Sequence, residues 1–381
     1  MQGVEEFRSE VRDWLAENLV GDFAALKGLG GPGRENEAFE ERRAWNQHLA
    51  QAGLTCLGWP VEHGGRGLSV AHRVAFYEEY AIANAPAKVN HFGEELLGPT
   101  LIAFGTPEQQ QRFLPRIVDV TELWSQGYSE PGAGSDLANV STTAVLDDDE
   151  WVINGQKVWT SLAHWAQWCF VVARSEKGSK RHAGLSYLLV PLDQPGVEVR
   201  PIVQLTGDSE FNEVFFDDAR TDADLVVGQP GDGWRVAMGT LTFERGVSTL
   251  GQQIVYAREL SAVVELAKST GAAEDPLIRE RLTRSWAGLR AMRSYALATM
   301  DVEQSGQDNV SKLLWANWHR DLGEIAMDVQ GKAGLVLPGG EFDEWQRLYL
   351  FTRADTIYGG SNEIQRNIIA ERVLGLPREA R

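Results

Sequence analysis

The hydrophobic repeat of this 381-residue chain changes its period twice, from helical to alternating near Leu123 and back to helical near Trp234. Over residues 4–19 the apolar side chains Val4, Phe7, Val11, Leu15 and Leu19 recur at steps of three and four, one buried face of a helix. Segments 39–54, 70–84, 94–104 and 107–118 read the same way, the last opened by Thr106 as N-cap and Pro107 as first helical residue. Beyond Leu123, segments 139–146 and 151–161 alternate or carry β-branched residues, with Asp147-Asp148-Asp149-Glu150 as the turn between them. Further strands are expected at 170–173, 185–190, 197–204 and 213–216, the spacing of an antiparallel β-domain. Gly231-Asp232-Gly233 ends that region, and helical patterns return over 234–268, 275–303, 309–330, 344–351 and 363–373. The expectation is an α+β chain in three parts: helical 1–121, sheet 122–230 and helical 231–381.

Charge and cysteine usage narrow the partners. A net charge of −18 argues against nucleic acid or an anionic membrane surface, both of which need clustered Lys and Arg. Cys56 and Cys169 are far apart with no metal-ligand spacing around them, so neither zinc nor a disulfide framework is indicated. The acidic start and the lack of a long apolar run lead to the expectation of a cytoplasmic protein without membrane contact. Residues 28–33 spell Gly-x-Gly-x-x-Gly, but a helical pattern precedes them and Pro32 would break a helix opening at Gly33. A dinucleotide fingerprint needs a strand before and a helix after, so this match is set aside.

Three regions carry chemical potential, the first made of two segments. Trp124 runs through Ser129 into Glu130-Pro131-Gly132-Ala133-Gly134-Ser135-Asp136, where small residues let backbone N–H groups approach a flat or anionic ligand. Lys157-Val158-Trp159-Thr160-Ser161 would end a neighbouring strand, its indole stacking on a planar ring while hydroxyls bond the ring edge; the alternative is a tryptophan in the sheet core. Leu241-Thr242-Phe243-Glu244-Arg245-Gly246 places a carboxylate among apolar neighbours, where desolvation favours a proton-accepting role; the alternative is a solvated Glu-Arg pair. Ile357-Tyr358-Gly359-Gly360-Ser361-Asn362-Glu363 is a glycine turn capped by Ser361 or Asn362, suited to an anion or developing oxyanion or simply to starting a helix.

Taken together, these stretches resemble the acyl-CoA dehydrogenase family over nearly the whole chain. Residues 130–136 match its Glu-Pro-x-Ala-Gly-Ser-Asp signature, 101–114 its Phe-Gly-x-x-x-Gln region, and 358–365 its Tyr-x-Gly-x-x-x-x-Gln signature. The resemblance implies an N-terminal helical domain, a middle antiparallel β-domain and a C-terminal four-helix bundle, with FAD as cofactor. It places Tyr128, Ser129, Gly134, Trp159, Thr160 and Ser161 at the flavin, Ser135 near the flavin and the pantetheine arm, Ser361 and Glu363 near the adenosine, and Gln330 on a neighbouring subunit's diphosphate. It implies an acyl-CoA substrate contacted by Ser135, Arg245, Tyr358 and Gly359, a trans-2-enoyl product, and an electron-transfer flavoprotein as electron acceptor.

The chain departs from the family pattern in two places. Many members carry the catalytic glutamate between the tyrosine and first glycine of the C-terminal signature; Gly359 stands there, and Glu244 matches the base of isovaleryl- and long-chain-type enzymes. The missing side chain also leans toward a branched or bulky acyl group, including a steroid side chain. Where members have an Arg-x-x-Phe-Gly segment for the FAD diphosphate, this chain reads Ala267-Lys268-Ser269-Thr270-Gly271-Ala272-Ala273-Glu274. That loss fits an α2β2 heterotetramer whose partner supplies the contact, or a homotetramer with a rearranged clamp. The rival functions are a flavin oxidase or monooxygenase of this fold acting on a non-CoA substrate, and a non-catalytic subunit of a heteromeric dehydrogenase.

Overall fold

The computed structural model describes residues 2–243, 248–299 and 306–378. Its α-helices are, in chain order, α1 (Val4–Asn18), α2 (Phe39–Gln51), α3 (Val70–Ile82), α4 (Gly98–Phe104), α5 (Pro107–Val118), α6 (Gly233–Phe243), α7 (Ser248–Thr270), α8 (Pro276–Thr299), α9 (Gln307–Gln330), α10 (Glu344–Thr352) and α11 (Asn362–Ile368). The strands are β1 (Trp124–Gly127), β2 (Thr143–Asp147), β3 (Glu150–Ser161), β4 (Trp168–Arg174), β5 (Leu185–Pro191), β6 (Val197–Ile202) and β7 (Phe211–Asp222). The architecture is α+β in the expected order of helices, sheet and helices.

Two compact units result. The sheet unit comprises Asp13–Arg73 and Asn84–Gly246; the helical unit comprises Met1–Arg12, Val74–Ala83 and Val247–Arg381. The sheet unit thus takes α6 with it, although the sequence pattern grouped that helix with the C-terminal ones.

Within the sheet unit the strands run in the order β1-β4-β2-β3-β7-β6, with β5 also paired to β4. Most ladders are antiparallel, as expected, but β1 lies parallel to β4, with Trp124 opposite Trp168 and Gly127 opposite Val171. The reason is visible in β4, which is buried on both faces and so reads as a continuous apolar run rather than an alternation. Phe170 and Val172 face a core shared with Leu97, Leu101, Phe113 and Val236, while Cys169, Val171 and Ala173 face Leu188, Val190 and Val214. Thr106 caps α5 as expected, accepting from the Gln109 N–H while Gln109 Oε1 accepts from the Thr106 N–H, at 3.2 and 3.1 Å. The helix expected over 94–104 is preceded by a π-helical turn, Phe92–Leu97, and α4 begins at Gly98, where a Cβ would lie 1.9 Å from the Trp59 ring. Residues 28–33 form a loop between a 3-10 turn and α2, with no strand before them among the described residues.

Within the helical unit α7, α8 and α9 pack on one another and α10 packs on α9, around Leu260, Val263, Leu289, Trp318, Leu322 and Ile325. Ion pairs hold the two short segments to each other: Arg8 meets Glu78 at 2.7 Å, and Arg12 meets Glu79 at 3.0 Å through two of its nitrogens. No helix among the described residues is long and apolar enough to cross a membrane.

Candidate active site

The stretch that carries the first signature is fixed from beneath by a buried ion pair. Lys157, fully enclosed in β3, donates to Glu130 Oε1 at 2.8 Å, to the Tyr128 carbonyl at 3.1 Å and to the Val172 carbonyl at 2.7 Å. Glu130 also accepts from the N–H groups of Ser141 and Thr142, at 2.6 and 2.9 Å. Burial alone would raise its pKa, but the Lys157 charge and these donors overcome that and bring it down to about 2. Burial likewise lowers the Lys157 pKa, opposed by the Glu130 charge. Glu130 is therefore structural, and it anchors the backbone of residues 128–130.

Opposite that anchor the end of β3 is irregular. Its pairing with β7 slips between Lys157 and Thr160, which leaves Val158 and Trp159 as a bulge; the Val158 N–H reaches the Ser129 carbonyl at 2.9 Å. Trp159 takes a left-handed φ of 58° and is 57% exposed, its ring touching Phe211 edge-on at 6.0 Å. The alternative of a core tryptophan is thereby excluded. Ser129 and Ser161 are half-buried, and Gly134 and Ser135 are exposed. Gly132 and Gly134 lack a positive φ, and no atom of the chain lies within 4 Å of where a Cβ would stand at either. Nothing in the chain itself asks for glycine there, and the backbone at both positions is open to an approaching group.

Two residues turn their side chains inward. Tyr128 is buried with its ring against Phe170 and Tyr187, at 5.8 and 6.2 Å between centroids, so its side chain belongs to the core. Thr160 is fully buried and its hydroxyl has no partner, because the bulge reverses the alternation of β3: Trp151, Ile153 and Lys157 face inward before it, Thr160 after it. Trp159 and Ser161 then present outward.

In the helical unit the C-terminal signature forms a turn of two left-handed glycines, Gly359 at φ 60° and Gly360 at φ 88°. Gln365 Nε2 donates to both of their carbonyls, at 3.0 and 3.2 Å. Ser361, rather than Asn362, caps α11, accepting from the Ile364 N–H at 3.4 Å. Glu363 is exposed in the first turn, where backbone N–H and the Ser361 hydroxyl lower its pKa. The half-exposed Tyr358 ring donates its hydroxyl to Asp355 Oδ1 at 2.9 Å. Gln330 donates to Asp343 Oδ2 at 2.6 Å, while its own Oε1 is buried without a partner. The segment that replaces the family arginine is the end of α7, Gly271 at φ 81° and a 3-10 turn, with Ala267, Ala272 and Ala273 packed in the helical core. Glu244 and Arg245 lie outside the described residues.

Sequence reading missed Gln126, whose amide nitrogen is buried without a partner on β1, and the group around His319 and Asp355. An orphaned amide leaves no mark in sequence; His319 and Asp355 are 36 residues apart and show no spacing signal. Among the described residues no cluster of His, Cys, Asp or Glu could hold a metal ion. Within the sheet unit the donor set suits a large flat cofactor: an exposed indole, two hydroxyls, open glycine backbone and the uncommitted amide nitrogen of Gln126.

Family models described as the N-terminal, middle and C-terminal domains of acyl-CoA dehydrogenase match residues 2–121, 125–219 and 231–374. The chain belongs to the acyl-CoA dehydrogenase family. It is 86% identical over 388 residues to acyl-CoA dehydrogenase IpdE1 of Mycolicibacterium smegmatis, covering 99% of each chain. Among solved structures it is similar to one described as the Tcur3481-Tcur3483 steroid ACAD, with a TM-score of 0.84 and 30% identity over 99% of this chain and 98% of that one. It is also similar to the ChsE4-ChsE5 complex from Mycobacterium tuberculosis, with a TM-score of 0.82 and 30% identity, covering 99% and 98%.

Proposed function

We propose that the chain performs FAD-dependent α,β-dehydrogenation of an acyl-CoA thioester, giving the trans-2-enoyl-CoA, on a branched or bulky acyl group such as a steroid side chain. Bound FAD supplies the hydride acceptor, flavin N5, for the hydrogen that leaves the β-carbon. Glu244 takes the α-proton; its apolar sequence neighbours Leu241 and Phe243 favour the protonated carboxyl and so suit a base for a weak carbon acid. The Gly359 N–H meets the thioester oxygen, where negative charge develops as the proton leaves. Trp159 covers one face of the ring, Ser129 and Ser161 meet its edge, Ser135 lies by the pantetheine arm, and Arg245 and Tyr358 border the acyl group. Gln330, Ser361 and Glu363 lie toward the dinucleotide.

Trp159 carries this reading. A large indole held outward in a left-handed conformation, next to two half-buried serines, bears a backbone cost of about 1–3 kcal/mol with little packing in return inside the chain. The bulky substrate is supported by Gly359, which brings no side chain to the position where many family members carry a glutamate and so leaves room for the acyl group. It is supported too by the likeness to a structure described as a steroid ACAD. That structure and the ChsE4-ChsE5 complex are each described by two chain names, which favours a heteromeric assembly for this chain, with an electron-transfer flavoprotein as acceptor. The test is anaerobic bleaching of the flavin band with straight, branched and steroid-derived acyl-CoAs. Glu244→Gln is expected to bleach about 100-fold more slowly or worse. Equal bleaching removes Glu244 as the base, and rapid oxygen use without bleaching by any acyl-CoA points to an oxidase of this fold instead.

A further inference from the structure

His319, on α9, is enclosed within the helical unit. Its Nδ1 lies 2.7 Å from Asp355 Oδ2 and its Nε2 lies 3.0 Å from Glu259 Oε2, so each ring nitrogen faces a carboxylate. Ionised carboxylates only accept, so both nitrogens donate and the ring is an imidazolium. Burial opposes that charge, but the hydrogen bonds and charges of the two carboxylates prevail and push the pKa up to about 9. Tyr256 on α7 covers the ring, 4.5 Å between centroids.

Asp355 links this buried imidazolium to the glycine turn. It is 1% exposed, and the oxygen not used by His319 accepts the Tyr358 hydroxyl at 2.9 Å. Its main-chain carbonyl accepts from Lys312 Nζ at 2.5 Å, and that ammonium sits over the Tyr358 ring, 4.5 Å from its centroid. Directly after Tyr358 come the two left-handed glycines, which have no side chains of their own to hold the turn. Two tethers therefore bracket it: Gln365 on the carbonyl side and the Asp355–Tyr358 pair on the entry side.

We propose that His319 is a positioning residue for the carbonyl-binding turn: clamped by Glu259, it fixes the Asp355 carboxylate, which through the Tyr358 hydroxyl sets the turn whose Gly359 N–H receives the oxygen of an acyl thioester. The proposal rests on the reading of Gly359 given under Proposed function. Without the imidazolium, a carboxylate this buried loses the cation that holds it and turns away, and the Tyr358 hydroxyl loses its acceptor. A donor displaced by about 1 Å then polarises the carbonyl far less.

The experiment uses the flavin-loaded protein with whatever partner subunit co-purifies. The probe is a 3-thia-acyl-CoA, which has no β-hydrogen to lose, labelled with carbon-13 at the thioester carbonyl. Infrared difference spectra of the parent are expected to show the carbonyl stretch moved down on binding. His319→Gln should lose most of that downshift, with kcat about 10- to 100-fold lower and KM within about 3-fold. A purely structural role would change stability and leave the carbonyl frequency alone. Tyr358→Phe removes only a hydroxyl from a half-exposed ring, so it should fold even where His319→Gln does not, and should lose part of the downshift. Parental downshift and kcat in Tyr358→Phe, or in a folded His319→Gln, overturn the proposal. Should the parent itself bind the probe without a downshift, or turn over no acyl-CoA, the Gly359 reading fails and takes this proposal with it.

Discussion

Glu210 is nearly enclosed where the start of β7 meets the loop before α2, and its Oε2 accepts the Gly33 N–H at 2.9 Å. Burial first, then the nearby charge of Glu35, push its pKa up to about 8, against the pull of the Gly33 N–H. The folded state then holds this proton more tightly than the unfolded chain, whose glutamates titrate near the ordinary value of about 4.3. The resulting stability is complete below that value and is lost as the pH rises toward 8, at up to about 1.4 kcal/mol per pH unit. Urea titrations from pH 5 to 9 should show this decline, and Glu210→Gln, which has no proton to lose, should flatten it whatever its absolute stability. Identical slopes would mean that Glu210 titrates normally. The reading of single residues from sequence was uneven for a related reason, since direction and burial decide a side chain's role. Trp159 and Ser161 were singled out by residue type and motif spacing, which survive in one dimension, and Trp159 does stand outside the core. The burial of the Tyr128 ring and the inward turn of Thr160 could not be read there, the latter because a bulge in β3 inserts a residue without any mark in the sequence.

Elements were easier to read than residues. The apolar stripes of α1 and α2 and the cap of α5 follow from local rules, and the structure keeps the bounds of these helices within a few residues. The partners of β4 were not legible, because an apolar run buried on both faces fits parallel and antiparallel neighbours alike. Lys157 acts at this scale as a strut, joining β3 to the backbone just beyond β1 and to β4 through three hydrogen bonds. Lys157→Met should cost about 3–5 kcal/mol, since it strands a buried carboxylate and two carbonyls. Glu130→Gln should be costly in its own right, but the double variant should cost less than the sum of the two by about 1–3 kcal/mol, because each single change leaves the other charge unpaired. Urea unfolding of all four proteins measures that coupling. Strict additivity would show that the pair is not the anchor of residues 128–130.

At the scale of the whole molecule, the departure that matters is the missing arginine segment. The sequence shows its absence but not its consequence. In the structure α7 passes through a left-handed Gly271 straight into a short turn and α8, with alanines packed inward, and the one cation of the segment, Lys268, is paired with Glu265 at 2.6 Å. A chain of net charge −18 also gains nothing from its own field when it takes up a dianionic diphosphate. Cations from a second subunit would remove both difficulties, which fits a chain similar to two structures that are each described by a pair of names. The expected outcome is that the chain purified alone carries FAD well below stoichiometry, and that co-purification with its partner raises the flavin-to-protein ratio to near full occupancy. Because the partner's contact would be largely electrostatic and near the surface, raising the salt from about 0.1 to about 1 M, which shortens the screening length from about 10 to about 3 Å, should strip flavin from the complex. Gel filtration with absorbance at the flavin band reads both effects. Full occupancy of the isolated chain, retained at the higher salt, would place the whole diphosphate clamp within this chain and remove the reason for a partner.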